Sequence, residues 1–191
     1  MGDPHNPARA GEIWNPIRLE LMEREVLRLA ELTPEIVISG GWAWHFMSPP
    51  HTEIKIYHDH KDVDILVPPT QFGEVLEYFD AYGYERSKTK YDNPSGNFYR
   101  YTKYFEGNGK VVFDVFLEIA PFVQLDKVKV AEPKYLLSLY GTKHTSEECA
   151  AVIGAKKLIA NGISPIGNKA LIGEYDGQTK GYQNQRRLPM V

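Results

Sequence analysis

A single cysteine, Cys149, stands among 191 residues, so no disulfide can close within the chain and no multi-cysteine zinc site exists. A reducing compartment, by default the cytoplasm, is the expectation. Positive charge is not in excess either: 22 Lys and Arg against 25 Asp and Glu leave a formal net charge of -3. That balance excludes a broad basic face for duplex DNA, because such affinity comes from many phosphate contacts. No apolar run approaches membrane-spanning length, and the first residues, Met1-Gly2-Asp3-Pro4-His5-Asn6, lack the apolar core of a signal segment. No membrane partner is expected. Internal repeats and low-complexity tracts are missing too. What is there is a chain 42% hydrophobic and 12% aromatic, enough to bury one sizeable core.

Residues 1–14 are polar with two prolines and read as a loosely ordered N-terminus. Asn15-Pro16 supplies an N-cap and a first-turn proline for a helix to about Leu32, with Ile17, Leu21, Leu27 and Ala30 on its apolar side. A strand is expected at Glu35–Ser39, a turn at Gly40-Gly41, and a short helix at Trp42–Met47 that Pro49-Pro50 stops. Asp62–Val67 reads as a strand and Gln71–Tyr82 as an amphipathic helix ended by Gly83. Strands follow at Tyr84–Thr89, Phe98–Phe105 and Lys110–Ile119, the last two joined through Gly107-Asn108-Gly109. Helices at Pro133–Tyr140 and Ser146–Ala160 close a domain spanning residues 15–161, and residues 162–191 form an extension packed on it.

Chemistry concentrates at three places. Gly40-Gly41-Trp42 closes an apolar run, and a strand-to-helix turn without side chains lets backbone amides approach a phosphate. Lys61-Asp62-Val63-Asp64-Ile65 puts two carboxylates at i and i+2, on one face of an extended segment, with Val63, Ile65 and Val67 on the other. Asp114 lies within Val111–Leu117, otherwise apolar, and by alternation faces the Asp pair if the two strands adjoin. Acids in such surroundings are costly to bury unless cations neutralise them, and divalent metal bridging phosphate oxygens does so.

This ordered pattern resembles the DNA polymerase β-like nucleotidyltransferase superfamily, and most of all its small antibiotic-type and minimal branch. The matching stretches are Gly40-Gly41-Trp42-Ala43 and His58-Asp59-His60-Lys61-Asp62-Val63-Asp64-Ile65, within residues 35–120; His58 stands where relatives often carry Arg. The resemblance implies an α+β nucleotidyltransferase fold, a mixed, mainly antiparallel sheet of about five strands with helices packed on it. It implies transfer of a nucleoside monophosphate from a nucleoside triphosphate, ATP first among them, to an acceptor hydroxyl with release of pyrophosphate. Asp62, Asp64 and Asp114 would be catalytic and hold Mg²⁺ or Mn²⁺, with Asp114 the candidate base. Ser39, Gly40, Gly41 and Trp42 would cradle the phosphates, and His60 and Lys61 would contact the nucleotide. The acceptor would be a small molecule, an RNA end or a protein.

Each feature has a plainer reading. Gly40-Gly41 suits any strand-to-helix turn, and Asp62 and Asp64 suit the solvated face of an edge strand. Asp114 resists that reading, since an acid alone in an apolar run needs a partner. His51, His58 and His60 raise a zinc alternative. Trp42 and Trp44, two apart on a helix, are expected to divide between core and cleft. Tyr99, Tyr101 and Tyr104 are expected to pack or half-expose along a strand. Among Lys134, Lys143, Lys156 and Lys157 are the candidates for a triphosphate-binding cation, although Lys143-His144-Thr145-Ser146-Glu147-Glu148 departs from the spacing of the relatives. Two other functions keep the same acids: a non-catalytic nucleotide-binding or regulatory module, and a metal-dependent phosphohydrolase.

Overall fold

Helix α1 (Pro16–Leu32) opens the computed structural model, which describes residues 16–47, 61–92 and 95–140 together with 156, 159 and 160. Its buried stripe is Leu19, Met22, Val26, Leu29 and Ala30, spaced three and four apart so that one side turns inward. Leu21 and Leu27, expected on that stripe, sit at its margin and are only partly buried. The inward face is thus rotated by about one position, with Met22, Val26 and Leu29 fully enclosed and Leu21 lying beside Gly109 of the sheet. The Asn15 cap and the Ile17 side chain lie outside the described residues. Thr33 ends the helix: its hydroxyl and its backbone N–H both donate to the Leu29 carbonyl, at 2.6 and 2.8 Å.

After α1 come β1 (Val37–Ile38), α2 (Gly40–Met47), β2 (Val63–Val67), a short turn of helix at Pro69–Gln71, and α3 (Phe72–Ala81). Then follow β3 (Glu85–Ser87), β4 (Phe98–Phe105), β5 (Gly109–Leu117), β6 (Phe122–Gln124), β7 (Lys129–Ala131) and α4 (Pro133–Tyr140). The strands form one sheet in the order β3-β4-β5-β2-β1-β7-β6. Parallel pairing joins β2 to β5 and β1 to β7, and the other neighbours are antiparallel, so the sheet is mixed and mainly antiparallel.

Its seven strands exceed the expected five or so, and β6 and β7 make the difference. Each is three residues long, closed by a turn in which Leu125 N–H donates to the Val128 carbonyl at 2.9 Å. Three residues are too few to display a period of two. Expected strands are also trimmed: β1 keeps two of five residues, and Asp62 lies on a bend just ahead of β2. Gly83, at φ +71°, ends α3 as expected. Of the helix expected at Ser146–Ala160 only 156, 159 and 160 are described, all helical, and residues 1–14 and 162–191 lie outside the described set.

Val63, Ile65, Val67, Val111, Phe113 and Val115 form the centre of the core on one face of β2 and β5. Phe79 from α3 stacks on Tyr101 at 4.4 Å and meets Phe113 at 5.6 Å, while Glu25 of α1 accepts a 3.0 Å hydrogen bond from the Tyr84 hydroxyl. Trp42 and Trp44 are both enclosed, at 0% and 1% exposure, which overturns the division between core and cleft. Helix α2 is apolar nearly all round, and five of its eight residues are buried, both tryptophans among them. Tyr101 is core, Tyr99 is half-buried against Phe72, and Tyr104 is exposed, as a strand with two faces requires.

Candidate active site

Register sets the acids side by side. In the parallel pair of β2 and β5, Asp64 stands opposite Asp114, and in the antiparallel pair of β4 and β5, Arg100 stands opposite the same Asp114. Residues directly opposed on neighbouring strands share a face, so Asp64, Asp114 and Arg100 form one row across three strands. Asp62, two residues before Asp64, joins them from the bend: Arg100 Nη2 donates to its Oδ2 at 3.0 Å. The expectation that Asp114 faces the Asp pair from an adjoining strand is met by this register.

Arg100 was not among the residues singled out from the sequence. It forks onto Asp114, Nε to Oδ1 at 2.6 Å and Nη2 to Oδ2 at 2.5 Å, the two-point geometry in which a guanidinium binds a carboxylate most strongly. A signal for it existed. The hairpin pairs Phe105 with Gly109, and counting back five from Phe105 and forward five from Gly109 brings Arg100 opposite Asp114.

Electrostatics follow from burial and from this pairing. Asp114 is 6% exposed, and loss of water pushes its carboxyl above the ordinary carboxylate range; the Arg100 hydrogen bond opposes that shift, and the nearby Asp62 charge adds to it. Hydrogen bonding to Asp114 holds the Arg100 guanidinium above its usual value. Lys61 Nζ lies 3.5 Å from Asp62 Oδ2. Three formal negative charges therefore face two positive ones.

Asp64 has a different neighbour. Gly40 begins α2 at φ +58°, and a Cβ there would lie 2.1 Å from Asp64 Oδ2, so this carboxylate rests against the first residue of the helix. The positive end of a helix favours a negative group at that point. Ser39 is buried and spends its backbone on structure, its N–H donating to the Asp64 carbonyl at 2.8 Å and its carbonyl accepting from Ala43 at 3.2 Å. Helix α2 starts at Gly40, two residues before the expected Trp42. The Trp42 ring is enclosed against His45 at 4.5 Å, which leaves only its backbone to meet a ligand. Gly41 is partly exposed at the helix start, and Lys134 and Lys156 are exposed. His51, His58, His60, Lys143 and Lys157 lie outside the described residues.

The donor set suits a hard divalent cation, since carboxylate oxygens are the ligands that Mg²⁺ and Mn²⁺ prefer. Among the described residues, however, no three His, Cys, Asp or Glu side chains are gathered into a ready metal-ligand cluster. The reason is visible in the contacts: Asp114 and Asp62 close on Arg100, and Asp64 lies over Gly40. The acids share a face and a row, but a guanidinium holds the place of the cation.

No protein-family model and no curated protein matches the chain. Solved structures similar to it include two of one protein. A solution structure of the antibiotic-resistance factor ANT(2'')-Ia is 15% identical, with a TM-score of 0.48, over 90% of this chain and 98% of that one. A crystal structure of ANT(2'')-Ia in complex with adenylyl-2''-tobramycin is 12% identical, with a TM-score of 0.45, over 90% and 99% of the two chains. At those values the likeness by itself assigns this chain no activity and no substrate.

Proposed function

We propose that the chain is a metal-dependent nucleotidyltransferase that moves a nucleoside monophosphate from a nucleoside triphosphate, ATP first among the donors, to an acceptor hydroxyl. The observation that carries this reading is the pairing of Asp64 with Asp114 on adjacent strands, with Gly40 close under Asp64 at the start of α2. Asp62, Asp64 and Asp114 would hold Mg²⁺ or Mn²⁺. When bound, such ions neutralise charge on the transferring phosphoryl group and acidify a hydroxyl.

The remaining work belongs to the chain's own side chains and backbone. Asp114 is held by the sheet on its buried row, and its enclosed carboxyl has a raised affinity for a proton, which suits a base that takes one from the acceptor hydroxyl. Gly40 and Gly41 present backbone without side-chain bulk at a helix start, where phosphate oxygens bind. Lys61, half-exposed beside Asp62, is within reach of a nucleotide that approaches the acids.

The test supplies each α-labelled triphosphate with Mg²⁺ and separate pools of cellular RNA, protein and aminoglycosides. Label passing into one pool with pyrophosphate released in equal amount, and lost in Asp64→Asn, supports transfer. Orthophosphate released without label transfer points to a phosphohydrolase, and nucleotide binding without turnover to a regulatory module; either contradicts the proposal.

A further inference from the structure

We propose that Arg100 is the resident counter-ion of the acid row, and that a divalent cation enters the site by displacing it from Asp114 and Asp62. The inference rests on the transferase reading and adds to it a residue that the acids alone do not reveal. Both oxygens of Asp114 are occupied by the guanidinium, and the nitrogen that holds Oδ2 also holds Asp62 Oδ2. Two carboxylates from different segments thus already converge on one positive charge. A dication drawn to the same oxygens cannot share them with the fork, since like charges at such separation repel and each oxygen is engaged.

The Arg100 side chain is 25% exposed, whereas that of Asp114 is 9% exposed, so the arginine can swing toward solvent while the acid stays fixed in the sheet. Lys61 is a point charge 3.5 Å from Asp62 Oδ2, and an ammonium does not reproduce the two-point fork of a guanidinium. A permanent cross-strand ion pair between β4 and β5 would show the same contacts without metal, and its response to metal separates the two roles.

The experiment follows Mn²⁺ binding to the full chain by the paramagnetic resonance of free Mn²⁺, starting metal-free, in the wild type, Arg100→Gln and Arg100→Lys. Displacement predicts that Arg100→Gln binds Mn²⁺ at least about tenfold more tightly than wild type, with Arg100→Lys between them, because the competing charge is removed or loosened. In the wild type the Nε–H of Arg100, bonded to Asp114, is shielded from exchange with water and loses that shielding when Mg²⁺ saturates the site. This second readout decides the matter should Arg100→Gln fail to fold. Equal or weaker Mn²⁺ binding by the variants, with Nε–H unmoved by Mg²⁺, overturns the displacement while leaving a metal-binding transferase intact. Absence of Mn²⁺ binding in all three proteins overturns both readings.

Discussion

At Gly40 two constraints coincide. The backbone sits at φ +58°, and a Cβ would come within 2.1 Å of Asp64 Oδ2. A left-handed L-residue costs roughly 1–2 kcal/mol and overpacking roughly 1–3, so Gly40→Ala is expected to lose about 2–4 kcal/mol in urea denaturation. An unchanged midpoint would mean that Asp64 does not rest on this turn. Arg100 alters what neutralising an acid does. Taken alone, Asp62, Asp64 and Asp114 are like charges whose repulsion falls when any one of them is neutralised. With the fork in place, Asp114→Asn breaks a mostly buried ion pair, and a loss of roughly 2–4 kcal/mol is expected in chelator, discounted for the partial exposure of Arg100. Asp64→Asn leaves the two-point fork between Arg100 and Asp114 in place and is expected to lose clearly less stability than Asp114→Asn. A denaturation series in EDTA distinguishes the two, and equal stability of both variants would remove the fork from the account. The acids were legible because carboxylates are conspicuous among Val and Phe. Arg100 was not, because an arginine between two tyrosines on an amphipathic strand looks like any solvated cation until register gives it a partner.

Among the elements, strands β2, β4 and β5 could be read from their residues, since each is long enough or apolar enough to declare itself. Their adjacency decided the site. Parallel pairing of β2 with β5 brings Asp64 and Asp114 level, and no local pattern dictates which strands neighbour each other. Hairpin β6–β7 is too brief to show a strand period, and α1 turns its inward face by about one residue from the side its sequence pattern suggests. That helix carries Glu25 on its buried stripe, fully enclosed, where an apolar residue would be the simple expectation. Arg28 Nη1 at 3.1 Å and the Tyr84 hydroxyl at 3.0 Å satisfy the carboxylate and tie α1 to the segment leading into β3. Tyr84→Phe withdraws one of these donors from a buried acceptor and is expected to cost about 1–3 kcal/mol at neutral pH. Thermal unfolding of that variant checks it, and an unchanged midpoint would show that the bond does not hold α1 in place.

For the whole molecule, the buried aromatic layer predicts behaviour in alkali. Burial, foremost, and then the charge of Glu25 push the Tyr78 and Tyr84 hydroxyls well above their usual value of 10.0. A folded value raised above the unfolded one means that the contribution is complete below pH 10 and is lost as pH rises through and beyond it, because the unfolded chain releases those protons first. Between about pH 10 and 12 stability should fall by roughly 1.4 kcal/mol per pH unit for each of the two tyrosines, and Tyr84→Phe should lessen the slope by one share. A flat profile over that interval, followed by urea unfolding, would contradict the enclosure of both rings. The central claim concerns the opposite face of the same sheet, where the acid row lies and Asp64 rests on the glycine turn. Its most direct test is a crystal grown with Mn²⁺ and a non-hydrolysable nucleoside triphosphate, with anomalous scattering recorded at the manganese edge. The account predicts metal bound by Asp62, Asp64 and Asp114 with the triphosphate against Gly40 and Gly41; manganese found elsewhere, or a nucleotide seated away from that turn, would contradict it.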